Sequence, residues 1–295
     1  AFAVIRDAQE SRGLGDVYKR QANDIGFTSG IASPCVFKHK SRRLWLTVHG
    51  DDFTLLGSDE DLDGFEEDIK KKFEVKIRGR LGPGEEDLKA IRILNRIVEW
   101  TNEGLRYEAD QRHAEIIVKE LGIESGRVRT DIPGEKLPVN EEYDVELSPE
   151  LTKQYQALTA RANYLAQDRS DIQFAVKELA RSMSAPTRGS WKGLLKLGKY
   201  LKNHCRSGYN YQYQDSPKEL TVWTDTDYAG CRETRKSTSG GVIQLGTHAI
   251  KTWSSTQSVI ALSSGEAEYY GLVKGGAHSI GFKSILKDLR GLRAP

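Results

Sequence analysis

ELTVWTDTDYAGCRETRKSTSGGVIQLGTHAIKTWSSTQSVIALSSGEAEYY, residues Glu219–Tyr270, is the stretch that decides the fold. Leu220 and Val222 alternate with polar or amphipathic neighbours, and this period of two predicts a strand. Two more β-rich runs, residues 240–244 and 249–253, flank a short turn-forming insert and predict a pair of strands. The first part of this stretch is therefore predicted to form a β-sheet.

A helix is predicted directly after these strands. Ser263 or Ser264 is suited to cap its first turn, because a serine hydroxyl accepts a hydrogen bond from an unpaired backbone N–H. Glu266 and Glu268 lie in that first turn, where carboxylates favour the positive end of the helix dipole. The sequence thus places acidic side chains at the start of the helix.

Carboxylates also stand at the end of the first strand, where Asp225 and Asp227 occur. Carboxylates from separate elements can converge and hold Mg²⁺, which prefers oxygen ligands. Two such ions about 3.5–4 Å apart activate a water and stabilise the leaving oxygen of a phosphodiester. The same spacing also fits a structural interpretation, in which Asp225 begins a turn and Glu266 stabilises its helix end.

Four collinear words, TDTDYAGC, TRKSTSGG, KTWSSTQ and ALSSGEAEY, resemble the ribonuclease H domain of copia-type retrotransposon polyproteins. The resemblance implies that Asp225 and Glu266 are catalytic carboxylates that bind Mg²⁺, or Mn²⁺ in its place, and that an RNA/DNA hybrid is the partner. Asp227 shares the strand face of Asp225 and is either a supporting group or a turn residue. Glu268 points roughly 200° away from Glu266 on the helix, which disfavours a shared metal.

A hairpin earlier in the chain, LWLTVHGDDFTLLG, resembles the reverse-transcriptase hairpin of the same family. The family usually has Tyr-Val-Asp-Asp, whereas His49 and Gly50 precede the acidic pair here. The resemblance implies that Asp51 and Asp52 are catalytic and metal-binding and that template-primer is a partner, with Asp51 favoured because it sits at the hairpin tip. An Asp-Asp pair is also common in ordinary turns, so a structural role stays open.

The resemblance implies a mixed fold of the α+β or α/β class. Residues 23–130 are expected to form a partial reverse-transcriptase palm and thumb, residues 131–215 a linker and helical connection, and residues 216–295 an incomplete ribonuclease H-like domain with a mixed sheet. Residues 1–22 match nothing in the family and stay unassigned, with a foreign origin as one interpretation.

The first polymerase carboxylate and the third ribonuclease H carboxylate of the family have no counterpart in this sequence. We therefore expect a polyprotein segment cut at both ends, with the remainder of the polyprotein as a partner. Two function classes compete: a reverse transcriptase with ribonuclease H activity, and a catalytically inactive fragment that binds a nucleic-acid duplex. We expect the chain on its own not to extend a primer, to bind the metal weakly and to be inactive.

The connection is strongly basic. Residues 151–206 carry eleven Lys or Arg against three Asp or Glu, a net charge of +8. Lys192, Lys196 and Lys199 occur at helical spacing and are candidate contacts for a nucleic-acid backbone. An ordinary solvated lysine face is the alternative.

Composition sets the outer limits. The 295 residues allow two or three domains, and a net charge of +2 does not by itself mark a nucleic-acid binder. The three cysteines are far apart, which favours a reducing compartment over a structural zinc site. We expect no membrane span, since no run of 18 apolar residues occurs, and an intracellular site, in a cytoplasmic particle or the nucleus.

Overall fold

The computed structural model describes residues 22–50, 52–72, 75–124, 130–135 and 143–290, together with the backbone of residues 2–7. The chain is a mixed α/β protein, as the sequence predicts, and its sheets are antiparallel. It divides into two compact units, the first running to Arg106 and resuming at Gly276, the second spanning Tyr107–Gly275. Within the described ranges, no helix combines the length and apolar character that crossing a bilayer requires.

A six-stranded antiparallel sheet forms the larger part of the first unit, in the order β2-β3-β4-β5-β1-β6. Its strands are β1 (Phe2–Asp7), β2 (Phe27–Ser29), β3 (Val36–His39), β4 (Trp45–His49), β5 (Asp52–Leu56) and β6 (Val75–Leu81). The segment that the sequence left unassigned supplies β1, which lies between β5 and β6 with Arg6 opposite Asp52.

The predicted hairpin is confirmed as β4 and β5, and Leu46 and Leu55 are buried beneath it. The helical spacing of Leu62, Phe65, Ile69 and Phe73 predicts an apolar stripe. Helix α1 (Asp59–Lys72) covers the same core with the first three of these, and Phe73 lies outside the described residues. The sequence also predicts a loop from Gly79 to Gly84, but β6 continues to Leu81 and the loop begins later. Gly79 has φ +150°, a value that favours glycine and lets the strand continue.

Three shorter strands follow: β7 (Ala90–Ile93), β8 (Arg96–Thr101) and β9 (Gly104–Glu108), and the boundary between the two units falls within β9. The β7–β8 hairpin turns at Leu94 and Asn95, whose φ values are +48° and +68°. Two consecutive positive φ values match the mirror-image turn that suits the twist of a two-residue hairpin.

Helices dominate the first half of the second unit. They are α2 (Gln111–Glu120), α3 (Pro149–Leu165), α4 (Gln173–Arg181) and α5 (Arg188–Asn203), with a 3₁₀ turn at Ser170–Ile172. Their starts follow the sequence: Ser148 accepts a hydrogen bond from the Leu151 N–H, and Thr187 and Ser190 form a reciprocal capping box. The helical spacing of Tyr155, Leu158, Ala162 and Leu165 predicts an apolar stripe on α3, and all four are buried in one shared core.

The second half of this unit holds β10 (Gly208–Gln212), β11 (Leu220–Asp227), β12 (Thr238–Leu245), β13 (His248–Thr256) and the start of α6 (Ser264–Arg290). The strands β11, β12 and β13 form a sheet in that order, as the period-two patterns predict. Both pairings are antiparallel, so the expected mixed sheet is not present among the described residues. Short connections between consecutive strands allow only antiparallel pairing.

Candidate functional site

Strand β11 presents two different faces. Thr224 lies against α6, where Gly275 approaches so closely that a Cβ on it would stand 2.6 Å from the threonine methyl group. Asp225 and Asp227 alternate with the threonines and are exposed on the opposite face. The prediction that the strand ends at these two carboxylates is confirmed.

Asp225 and Asp227 line an open cleft of about 330 Å³. Its sheet side is built from hydroxyl residues, glycines and one tryptophan: Thr238, Gly240, Gly241, Thr252, Trp253 and Ser254. Its other wall comes from the 3₁₀ turn and α4, through Ser170, Gln173 and Phe174. The cleft is therefore made jointly by the strand that carries the carboxylates and by the helical connection.

A cation is fixed beside this cleft. The ammonium group of Lys177 donates a hydrogen bond to Thr238 Oγ1 at 2.8 Å and lies 4.7 Å from the centre of the Phe174 ring. It also forms an ion pair with Glu178. Sequence reasoning did not single out Lys177 or the cleft wall, because about fifty residues separate them from Asp225 and no short-range pattern links the two.

Asp227 also supports the turn that follows β11. Its carboxylate packs directly on Gly230, and a Cβ at that position would overlap it. The Gly230 N–H donates a hydrogen bond to the backbone oxygen of Asp227 at 3.3 Å. This contact agrees with the turn role that the sequence left open beside the supporting role.

Glu266 takes part in the cap of α6. The Ser263 hydroxyl accepts a hydrogen bond from the Glu266 N–H at 3.1 Å, so Ser263 is the capping residue. The Glu266 carboxylate accepts from the Leu262 N–H at 2.7 Å and from the Tyr270 hydroxyl at 3.2 Å, and the hydrogen bond from Tyr270 raises the pKa of that hydroxyl. Glu266 thus stabilises its helix end, as the structural interpretation of the sequence expects.

The positions of Asp225, Asp227 and Glu266 decide whether these carboxylates can bind a metal ion together. Asp225 and Asp227 point to the face of β11 away from α6, whereas both oxygens of Glu266 accept hydrogen bonds at the start of α6. Across the described part of the chain, no group of three or more His, Cys, Asp or Glu side chains is placed to hold a metal ion. The described side chains therefore form no three-ligand group for a metal ion.

Of the acidic pair that resembles the reverse-transcriptase motif, the structure describes only one residue. Asp51 lies outside the described residues. Asp52 begins β5 opposite His49, and its Oδ1 is 3.9 Å from the guanidinium of Arg78. A cation on β6 therefore lies beside Asp52.

The three lysines of α5 differ in their contacts. Lys196 forms a 2.6 Å ion pair with Glu135, and Lys192 donates to the Tyr143 hydroxyl at 2.6 Å while lying over the Tyr143 ring. Lys199 is half-buried. Residues of the linker thus hold two of the three charges that the sequence assigned to nucleic-acid binding.

Cys231 ends the first of the four words, and its thiol is a hydrogen-bond hub. Arg181 of α4 donates to its sulfur at 2.6 Å and the Thr234 hydroxyl at 2.9 Å. Burial would raise the pKa of this thiol, but these donors outweigh burial and lower it. The contacts tie the loop after β11 to the helical connection.

Comparison with known proteins finds relatives among the polyproteins of plant transposons. The chain is 29% identical over 136 residues to the retrovirus-related Pol polyprotein from transposon RE2 of Arabidopsis thaliana, which is 46% of this chain and 9% of the relative. It is 27% identical over 268 residues to the one from transposon TNT 1-94 of Nicotiana tabacum, 88% of this chain and 19% of the relative. It is also 34% identical over 104 residues, 35% of this chain, to secreted RxLR effector protein 161 of Plasmopara viticola, of which it covers 72%.

The chain thus spans less than a fifth of the two Pol polyproteins. No protein-family model and no solved structure matches it. The alignment with the tobacco relative nevertheless covers most of the chain. The chain is therefore similar to retrovirus-related Pol polyproteins of plant transposons, at 27–29% identity.

Proposed function

We propose that this chain is the segment of a copia-type Pol polyprotein that joins the end of the reverse transcriptase to the ribonuclease H domain, and that its second unit cleaves the RNA strand of RNA/DNA hybrids. The observation that carries the proposal is the position of Asp225: an exposed carboxylate at the end of β11, in an open polar cleft, within the words that resemble a ribonuclease H.

The chemistry of the cleft supports this substrate. Serine and threonine hydroxyls, glycine backbone and a glutamine amide line it, and these groups exchange hydrogen bonds with sugar hydroxyls and phosphate oxygens. Asp225 and Asp227 supply negative charge suited to a hydrated cation or to a water that must lose a proton. Lys177 is fixed at the same wall by Thr238 and Glu178.

Mg²⁺ or Mn²⁺ remains our prediction as the cofactor, with Asp225 and Glu266 as ligands in the ribonuclease H half and Asp51 and Asp52 in the polymerase half. Such an ion would supply water activation and charge neutralisation. Because the described side chains do not form a three-ligand group, we assign no catalytic step to the ion.

The second candidate function is an inactive segment that binds a nucleic-acid duplex without cleaving it. The capping bonds of Glu266 favour it, since a carboxylate that already accepts two hydrogen bonds has less capacity to bind a metal. The two functions share a partner and differ in chemistry, so one assay can separate them.

The experiment measures cleavage of a labelled RNA/DNA hybrid, and its binding by anisotropy, with Mg²⁺ and with EDTA. We expect this chain alone to cleave little, and the same chain extended at both ends within its polyprotein to show metal-dependent cleavage that Asp225→Asn lowers by about 10²-fold or more, on the order of a lost catalytic acid–base group. Asp215→Asn is the matched control, because Asp215 is exposed in the same unit and outside the cleft.

Calorimetric titration of Mn²⁺ separates the metal from the chemistry. We expect the parent and Asp215→Asn to bind the ion equally and Asp225→Asn to lose binding. Hybrid binding with no cleavage under any metal would establish the second function instead. Cleavage that survives in Asp225→Asn would show that the assigned cleft is not the reaction site.

A further inference from the structure

Lys274 of α6 and Lys251 of β13 form a pair of cations on the α6 side of the sheet. Lys274 is half-buried and donates a hydrogen bond to the hydroxyl of Ser255. Lys251 lies four residues before Ser255 on the same strand, so the two side chains share a face. The pair is thus anchored on two adjacent elements.

Several other cations of this unit contact a carboxylate. Examples are Arg169 with Asp171, Lys177 with Glu178, Arg181 with Glu178, Lys196 with Glu135 and Arg206 with Glu108. Lys274 and Lys251 differ: within the described residues, the recorded partner of Lys274 is a neutral hydroxyl, and neither lysine forms an ion pair with a carboxylate.

Such an arrangement is costly for the protein alone. Burial and the positive charge of Lys251 both lower the pKa of Lys274, which means that its charged form is disfavoured where it stands. An anion placed between the two ammonium groups would remove both penalties. The serine hydroxyl offers that anion a hydrogen-bond donor as well as an acceptor for Lys274.

We infer that Lys251, Lys274 and Ser255 form a binding site for the phosphate groups of a nucleic-acid backbone. The inference rests on the proposed function for its choice of phosphodiester over free phosphate. Lys274 lies eight residues after Glu266 on α6, which is roughly 12 Å along the helix axis. The site therefore contacts the backbone away from Asp225 and positions the strand without joining the reaction.

The test measures the salt dependence of hybrid binding by anisotropy, in EDTA so that cleavage plays no part. Each phosphate contact adds about 0.9 to the slope of log K against log salt. We expect Lys274→Gln and Lys251→Gln to lower that slope by about one each, and the double variant by about two. Lys274→Arg keeps the charge and retains the parent slope.

Lys153→Gln is the matched control, since Lys153 is an exposed lysine elsewhere in the same unit, and its slope should equal that of the parent. Circular dichroism confirms that the variants remain folded. A double variant with the parent slope overturns the inference. A second outcome also overturns it: neither lysine substitution changes hybrid binding, and inorganic phosphate alone shifts the Lys274 resonance of the parent. That outcome would identify a site for free phosphate. Absence of hybrid cleavage affects only the proposed function.

Discussion

The two halves of the second unit are held together by different interactions. Helices α2 to α5 share one apolar core, in which Leu158, Leu194 and Leu197 are fully buried. In the sheet β11 to β13 and the loop beside it, the buried positions include Ser237, Thr238, Ser239 and Gln257. Apolar burial contributes about 25 cal/mol per Å², whereas buried hydrogen bonds contribute little net stability. The helical half is therefore the stable support, and the half with the proposed site is open and polar.

The largest expected effect removes the counter-charge of a buried cation in the helical half. Arg169 is 2% exposed, and its guanidinium forms 2.7 and 2.9 Å hydrogen bonds with Asp171, which also accepts from the Tyr200 hydroxyl. Asp171→Asn leaves a buried cation without its counter-charge, which costs about 3–5 kcal/mol. Urea unfolding measures the loss, and Asp215→Asn should change stability by less than about 0.5 kcal/mol.

The same pair gives a dependence on pH. Burial would raise the pKa of Asp171, but the hydrogen bond and charge of Arg169 outweigh it and lower the pKa. A lowered pKa stabilises the fold above the unfolded value, about 3.9, and that contribution is lost as the pH falls through the folded value. Parent stability should therefore fall below about pH 4, and Asp171→Asn should lose less over that range. Parallel acid profiles of the two proteins would contradict this.

The next effect compares a leucine from each half. Leu197 of α5 is fully buried, and Leu197→Ala should cost about 2–5 kcal/mol through lost burial and a cavity. Leu272 of α6 is 61% exposed, and Leu272→Ala should change the free energy of unfolding by less than about 0.5 kcal/mol. Chemical denaturation of both variants tests the contrast, which fails if the two losses are equal.

The packing of α6 on β11 gives a third comparison. A Cβ on Gly271 would lie 2.7 Å from a methyl carbon of Thr226, so Gly271→Ala should cost about 1–3 kcal/mol by overpacking. Gly276 has open space around it, and Gly276→Ala should stabilise the helix by up to about 1 kcal/mol. Thermal melting should show shifts of opposite sign, and two shifts of the same sign would mean that α6 does not approach β11 as described.

The smallest effect removes one helix cap from each half. Ser263→Ala on α6 and Thr187→Ala on α5 should each cost about 1 kcal/mol, because each side chain accepts a hydrogen bond from a first-turn N–H. Hydrogen exchange reports the loss locally. A Ser263→Ala variant with unchanged exchange in the first turn of α6 would mean that Glu266 is not held by this cap.

Local chemistry explains what the sequence could predict. The period-two run before Asp225, the cap at Ser263 and the stripe of α3 each depend on residues close in the chain, and each is confirmed. The wall of the cleft was not predicted, because Phe174 and Asp225 meet only through tertiary packing. The ion pair between Lys196 and Glu135 was missed for the same reason. A lysine pattern at helical spacing does not reveal which carboxylate the fold brings to it.

Strand β11 pairs with β12 alone among the described strands, so its other edge pairs with no described strand. Sheet edges of this kind recruit strands from other molecules and start aggregation. Asp225 and Asp227 are exposed on this strand, and like charges brought together by edge-to-edge association would repel. The two carboxylates therefore oppose association at this edge. Neutral variants at Asp225 should self-associate more readily, and sedimentation of each variant belongs beside any measurement of its activity.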